Sequence, residues 1–146
     1  MIGIDIVAVE RIKNIYQRHG SLLLEKILDE QEIKELPAER DRYFFRKLSC
    51  YIASKEAIYK AYADGDLGWK DIIIHNITDT PSIYIKKSDV TMKVKLACAI
   101  NRDMVISQAL LIRPYKDPIH GRLYGAKGST QLHSGLVIDV IEEMHG

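Results

Sequence analysis

The longest uninterrupted helical pattern places the strongest constraint on the fold. From about residue 39 to residue 63 the chain has no glycine or proline, and its apolar side chains recur at a helical period. The pattern predicts one long helix with a broad apolar face, which has to be buried against a second layer of structure. The residues that form this face are Phe44, Phe45, Leu48, Tyr51, Ile52, Ile58 and Tyr59.

Shorter elements are predicted before the long helix. Residues 1–7 are rich in β-branched side chains and indicate a strand buried on both faces. Residues 9–18 show an amphipathic helical pattern with a basic side. Ser21 can cap a second, short helix, and Asp29 with Glu32 forms a capping box for a third. The first part of the chain is therefore rich in helix.

The second part of the chain has the patterns of strands. Strands are predicted within residues 69–76, 81–85, 90–100 and 104–112, and the last two are joined as a hairpin. A helix-rich half followed by a strand-rich half predicts the α+β class. Prolines and glycines accumulate after residue 113. We therefore expect a domain over residues 1–113 and an irregular C-terminal extension over residues 114–146, either part of the same domain or an oligomer arm.

Composition narrows the classes of function. A chain of 146 residues with 47% hydrophobic side chains suits one globular domain. A net charge of +1 gives no reason to expect nucleic acid or a membrane as a partner, and no apolar stretch approaches the roughly 20 residues that cross a bilayer. Cys50 and Cys98 show no disulfide or metal-ligand spacing, the histidines show no zinc-ligand spacing, and no signal peptide is evident. We therefore expect a soluble, cytoplasmic protein.

Two carboxylates occur where solvated charges are not expected. Asp5 lies within the apolar first strand, and Glu56 lies among small residues on the long helix. Burying an unpaired carboxylate is costly, so each needs a cation, a hydrogen-bond cluster or a metal. Oxygen ligands suit Mg²⁺, and Lys60, one helical turn after Glu56, can neutralise a phosphate beside it. Two alternatives stay open: Asp5 can pair with an arginine or a helix N-terminus, and Glu56 can pair with Lys60 at the surface.

Several short motifs follow one another at characteristic separations. They are residues 3–7, 10–12, 27–32, 53–57, 60–61 and 68–72, with Pro81 leading a strand. The most specific part is a strand aspartate followed by a lysine-glutamate-alanine motif on a helix. These segments span roughly residues 1 to 112. Their order and their separations resemble those of the holo-acyl-carrier-protein synthase family of phosphopantetheinyl transferases.

The resemblance implies a fold and a site. The fold is an α+β domain with the long helix packed on an antiparallel sheet, assembled as a homotrimer with coenzyme A bound between neighbouring subunits. Mg²⁺ would bridge Asp5, Glu56 and the pyrophosphate of coenzyme A, and Lys60 would neutralise phosphate charge. These three are the implied catalytic residues. Lys55 and Pro81 are implied as further contacts of coenzyme A.

The resemblance also implies a reaction and a partner. The serine hydroxyl of an acyl or peptidyl carrier protein would attack the phosphorus next to pantetheine and release adenosine 3′,5′-bisphosphate. The carrier protein is strongly acidic in this family, and the basic side of the first helix offers Arg11, Lys13 and Arg18 as a docking surface. An ordinary solvated helix face explains the same three residues equally well.

Three parts of the chain depart from the family pattern. Ile100, at the end of residues 97–100, stands where a serine-rich strand ends in a histidine beside the coenzyme, and Tyr51 replaces a basic residue. Residues 114–146 have no counterpart in the minimal domain. These departures define an alternative function, a catalytically reduced scaffold that binds a carrier protein or coenzyme A. Retention of both carboxylates and their lysine favours an active transferase.

Overall fold

The computed structural model of the protein describes residues 1–62, 66–86 and 93–112. The expected C-terminal extension, residues 114–146, lies outside these ranges. Among the described residues, no helix combines the length and the apolar character that crossing a bilayer requires.

A three-stranded antiparallel sheet forms the base of the fold. Its order is β1 (Ile2–Ala8), β5 (Met104–Ile112) and β4 (Lys93–Ile100). The strands β4 and β5 form the predicted hairpin, in which the backbone N–H of Asn101 donates to the carbonyl of Met104 at 2.9 Å. The first strand of the chain thus pairs with the last described one, and the hairpin is confirmed.

One long helix, α4 (Arg42–Tyr62), packs across β1 and β5. The prediction of a long helix on an antiparallel sheet is confirmed, but the helix begins at Arg42 rather than near residue 39. The reason is a cap, because Oδ1 of Asp41 accepts the backbone N–H groups of Tyr43 at 2.9 Å and Phe44 at 3.0 Å. Such a side chain satisfies donors that have no partner within the first helical turn.

Three short helices precede α4: α1 (Val9–His19), α2 (Ser21–Ile27) and α3 (Glu30–Glu35). Gly20 joins the first two with φ +58°, a left-handed conformation that side chains rarely adopt. The capping box predicted for α3 is present, since a carboxylate oxygen of Glu32 accepts the N–H of Asp29 at 2.7 Å. The predicted helical half is confirmed.

The remaining strands form a separate two-stranded antiparallel sheet. It consists of β2 (Ile72–His75) and β3 (Ser82–Ile85), and a 3-10 turn (Trp69–Asp71) leads into it. The strand-rich part of the described chain therefore builds two sheets, and α4 packs mainly on the three-stranded one.

The face of the three-stranded sheet that points away from α4 is apolar and exposed. Ile2, Ile4 and Ile6 are 60%, 53% and 57% exposed, whereas Gly3 and Val7, which point to the other face, are buried. The prediction that β1 is buried on both faces is therefore wrong for the described chain. A continuous apolar run in the sequence does not tell which face of the strand is covered by a helix of the same chain. It therefore does not predict that the other face stays exposed among the described residues.

Two thiols meet between α4 and the sheet. Cys50 on α4 is fully buried and Cys98 on β4 is partly buried, and both are free. A hydrogen bond with Cys98 and burial together raise the pKa of the Cys50 thiol above its usual range. The contact was not predicted, because the two cysteines lie far apart in sequence.

Candidate functional site

The strand β1 approaches α4 closely at Gly3. A Cβ atom at this position would lie 1.9 Å from the carbonyl oxygen of Ala57 and 2.7 Å from the backbone nitrogen of Ala61. Only a residue without a side chain fits, so this glycine sets the distance between the strand and the helix. Asp5 lies two residues further along the same face of the strand and is thereby brought to α4.

Asp5 and Lys60 form an ion pair at this contact. The Nζ of Lys60 donates to Oδ1 of Asp5 at 2.8 Å and lies 3.4 Å from the carbonyl oxygen of Ile4. The side chains of Asp5 and Lys60 are 14% and 33% exposed, so the pair lies at the edge of the core. The residues alone left open whether the partner of Asp5 is an arginine or a helix N-terminus, and the structure supplies a lysine instead.

Glu56 lies on α4 one turn before Lys60 and is buried. The strand register places Asp5 beside Ser107, and the Ser107 hydroxyl lies 2.9 Å from the hydroxyl of Ser54 on α4. The segment of α4 from Ser54 to Lys60 therefore lies over the row of the sheet that contains Asp5. This placement brings Glu56 into the same region as Asp5.

The carboxylates of Asp5 and Glu56 offer oxygen donors only. Mg²⁺ typically takes one or two protein carboxylates and completes its octahedron with water and phosphate oxygens. The donor set therefore fits Mg²⁺. Within the described ranges, no group of three or more His, Cys, Asp or Glu side chains could hold a metal ion by itself.

Lys55, predicted to contact coenzyme A, points about 100° around α4 from Glu56 and contacts α3. Its Nζ donates to a carboxylate oxygen of Glu32 at 2.6 Å and to the carbonyl oxygens of Ile27 at 2.8 Å and Trp69 at 3.1 Å. Both charged side chains are fully buried. Burial lowers the pKa of Lys55, and the Glu32 carboxylate opposes that shift. All three N–H donors of the ammonium are thus directed at acceptors within the protein.

Tyr51 lies one turn before Lys55 on the same buried side of α4. Its hydroxyl donates to a carboxylate oxygen of Glu35 at 2.7 Å. Burial and this hydrogen bond raise the pKa of Tyr51 above its usual range. The structure therefore does not place Tyr51 beside Asp5, and its hydroxyl makes a partly buried contact with α3. Sequence reasoning missed this role because nothing in the local pattern links Tyr51 to a glutamate of another helix.

Ile100 and Pro81 lie outside the contact between Asp5 and Lys60. Ile100 ends β4, which the register separates from β1 by the intervening strand β5. Neighbouring strands are about 4.8 Å apart, so Ile100 is roughly 10 Å or more from the Asp5 row. Pro81 immediately precedes β3, which belongs to the two-stranded sheet. The replacement of the expected histidine leaves the carboxylates and the lysine of this chain in place.

The basic residues of α1 do not share one face. Arg11 and Arg18 are exposed and seven residues apart, which places them two turns apart on the same side of the helix. Lys13 lies about 200° around the helix from Arg11. It lines a cleft of about 620 Å³ at the start of α1 and α4, and its Nζ lies 3.9 Å from a carboxylate oxygen of Glu10.

Comparisons with known proteins cover the segment that carries this site. A family model for the 4′-phosphopantetheinyl transferase superfamily matches residues 1–107. The holo-[acyl-carrier-protein] synthase of Chlorobaculum parvum is 31% identical over 114 residues, which cover 75% of this chain and 96% of that protein. The holo-[acyl-carrier-protein] synthase of Chloroherpeton thalassium is 32% identical over 122 residues, covering 79% of this chain and 98% of that protein.

The fold is also similar to solved structures. The crystal structure of the Helicobacter pylori holo-[acyl-carrier-protein] synthase in complex with coenzyme A matches with a TM-score of 0.67 and 25% sequence identity. The match covers 77% of this chain and 100% of the Helicobacter pylori chain. Asp5, Glu56 and Lys60 all lie within the residues that the family model matches.

Proposed function

Because the chain belongs to the holo-acyl-carrier-protein synthase family of the 4′-phosphopantetheinyl transferase superfamily, we propose that it transfers the 4′-phosphopantetheine group of coenzyme A to a serine of an acyl or peptidyl carrier protein. The observation that carries the proposal is the 2.8 Å contact between Asp5 and Lys60, beside the buried Glu56. It places a cation against one carboxylate at the edge of the core, one helical turn from a second carboxylate, Glu56.

We propose Asp5 and Glu56 as the ligands of Mg²⁺. Asp5 lies on the strand that packs against α4 at Gly3, and Glu56 lies on α4 one turn before Lys60, the ion-pair partner of Asp5. When bound, Mg²⁺ would supply neutralising charge to the pyrophosphate of coenzyme A. Lys60 is positioned to neutralise the same phosphate charge, because its ammonium already lies within hydrogen-bonding distance of Asp5. The donor set supports this assignment, since all of its donors are oxygen atoms.

The reaction is a phosphoryl transfer, for which positioning and charge stabilisation supply most of the rate. The serine oxygen of the carrier protein forms a bond to the phosphorus next to pantetheine. The bond from that phosphorus to the bridging pyrophosphate oxygen breaks, and adenosine 3′,5′-bisphosphate leaves. The serine proton passes to a carboxylate of the site or to water. Asp5, Glu56 and Lys60 act by fixing the phosphate and its charge at one place.

We propose the exposed side of α1 as the dock for the carrier protein. Arg11 and Arg18 share this side, and an acidic partner would be attracted to both. Lys13 contributes less, because it lies on another side of the helix and close to Glu10. Attraction of this kind mainly raises the association rate and selects the partner.

We propose a homotrimer as the working assembly. The outer face of the three-stranded sheet supports it, because contiguous exposed apolar surface of this kind usually marks an interface. Across the register, Ile6 of β1 lies beside Ile106 of β5, which is 47% exposed. Covering this face in an assembly would remove the isoleucines of β1 from water.

The test is intact-mass analysis of an apo carrier protein incubated with this protein, coenzyme A and Mg²⁺. We expect the carrier protein to gain one phosphopantetheine group. Asp5→Asn and Glu56→Gln should each lower the rate about 100-fold or more, because each removes a charge on which the transition state depends. Glu25→Gln is the matched control, since Glu25 is an exposed carboxylate on α2.

The alternative function is a scaffold that binds a carrier protein or coenzyme A without turnover. The substitution at Ile100 is the observation that favours it. The same experiment separates the two functions. If no carrier protein gains mass while coenzyme A still binds, the scaffold is correct and the transferase proposal is wrong.

A further inference from the structure

Two glutamates of the short helix α3 each join α4 to β2. The carboxylate of Glu32 accepts the ammonium of Lys55 at 2.6 Å and the backbone N–H of Ile74 at 2.7 Å. Glu32 also closes the capping box with Asp29 at 2.7 Å. Its oxygens therefore tie three segments together in an environment without solvent exposure.

The second glutamate repeats this arrangement one turn later. Glu35 accepts the hydroxyl of Tyr51 at 2.7 Å and the backbone N–H of Asn76 at 3.0 Å. Both glutamates thus bind one side chain of α4 and one backbone N–H at β2 or the residue after it. The two contacts differ in their place on α4, because Lys55 adjoins Glu56 and Tyr51 is more than one turn away from it.

We propose that the buried pair of Lys55 and Glu32 is a positioning device for Glu56, the metal ligand assigned above. The inference rests on the proposed metal site. Lys55 and Glu56 are consecutive, so their side chains leave α4 about 100° apart, and that of Lys55 is held against α3. Any rotation or sliding of α4 that moves Lys55 moves Glu56 as well. The Lys55 ammonium contacts Ile27, Glu32 and Trp69, so it resists such motion from three directions.

The role differs from a contact with coenzyme A, which the family resemblance implied for Lys55. An ammonium that donates to three buried acceptors has no further N–H group for a ligand. A direct contact and a positioning role also respond differently to loss of Glu32. If Lys55 bound coenzyme A, removing Glu32 would release it for that purpose, whereas a positioning pair fails when either partner is removed.

The experiment measures Mn²⁺ binding by electron paramagnetic resonance, with saturating coenzyme A and without a carrier protein. Lys55→Met and Glu32→Gln should each weaken Mn²⁺ binding about 10-fold to 100-fold, the range for groups that support metal ligands. Thermal unfolding is measured on the same samples. Tyr51→Phe is the matched control, since it removes the equivalent contact with Glu35 and leaves the segment beside Glu56 in place. It should lower the melting temperature and change Mn²⁺ affinity less than twofold.

The double variant Lys55→Met/Glu32→Gln separates positioning from folding. It removes both buried charges and so avoids leaving either one uncompensated, which should recover much of the stability lost in the single variants. Mn²⁺ affinity should stay low, because the ion pair that holds the segment of α4 beside Glu56 is then absent. Recovery of wild-type Mn²⁺ affinity in the double variant would overturn the inference, and so would an equal loss in Tyr51→Phe.

Glu56→Gln distinguishes failure of this inference from failure of the metal site. If Glu56→Gln binds Mn²⁺ as tightly as the wild type, the assignment of the metal ligand is wrong and the positioning role falls with it. If Glu56→Gln loses Mn²⁺ while Lys55→Met and Glu32→Gln retain it, the metal site stands and only the positioning role is wrong.

Discussion

Substituting Gly3 with alanine should damage the site without touching any of its functional side chains. The added Cβ would lie 1.9 Å from the carbonyl oxygen of Ala57, and Cβ atoms essentially never approach a neighbouring atom closer than 3.0 Å. The obstructing atoms belong to the backbone of α4, so no side chain can turn aside. The strand and the helix would have to separate by about 1 Å.

That separation should lower the free energy of unfolding, and it should lower the rate of transfer by a larger factor. Overpacking of this kind destabilises a domain by about 1–3 kcal/mol, which corresponds to a melting temperature lower by about 3–12 °C for a domain of this size. The 2.8 Å contact of Asp5 with Lys60 would lengthen toward the limit of an ion pair. A displacement of about 1 Å can lower the rate about 100-fold. We therefore expect the loss of kcat/KM to exceed what unfolding explains.

The assay is kcat/KM for phosphopantetheine transfer, measured well below the melting temperature of each variant. Gly20→Ala is the control, because Gly20 has φ +58° and no atom within 4 Å of an added Cβ. Strain should lower its stability by about 1–3 kcal/mol while β1 stays in place. Gly3→Ala within twofold of wild-type kcat/KM would refute the reasoning. An equal loss in both variants would assign the effect to general destabilisation.

Three further predictions concern docking, assembly and pH. Arg11→Glu/Arg18→Glu should raise KM for an acidic carrier protein about 10-fold with little change in kcat, and an effect that does not shrink with added salt would contradict the docking surface. Ile4→Lys/Ile6→Lys should convert a trimer to monomers by light scattering, and an unchanged mass would place the interface elsewhere. Asp29→Ala should lose about 1 kcal/mol at pH 7 in urea unfolding. A hydrogen bond from the backbone of Gln31 lowers the pKa of Asp29 below 3.8, so this contribution is present above that pH and fades as the pH falls through the folded-state pKa. A difference between wild type and Asp29→Ala that does not shrink as the pH is lowered below 3.8 would contradict this assignment.

Periodicity and capping patterns predicted most of the elements. The run without glycine or proline predicted α4, and the Asp29 and Glu32 pattern predicted the start of α3, because both signals are local in sequence. The start of α4 was misplaced because its cap, Asp41, lies inside a stretch that reads as helix throughout. Burial of β1 on both faces was wrong, since the pattern of a strand does not record what covers each face.

The site could be predicted only in part. Asp5 stood out as a carboxylate in an apolar strand, and the structure places it against Lys60. The family resemblance implied Lys55 as a contact of coenzyme A, yet its side chain leaves the helix about 100° from that of Glu56. Its partner Glu32 lies 23 residues away in sequence, and only tertiary packing brings the two charges together.

The buried thiol of Cys50 gives the protein an internal reporter of local opening. Thiol reagents attack the thiolate, and burial with a raised pKa suppresses that form of Cys50 in the folded chain. Labelling of Cys50 therefore requires α4 to separate from the sheet. The rate of labelling under native conditions would measure the free energy of that opening directly, in the same helix that carries Glu56 and Lys60.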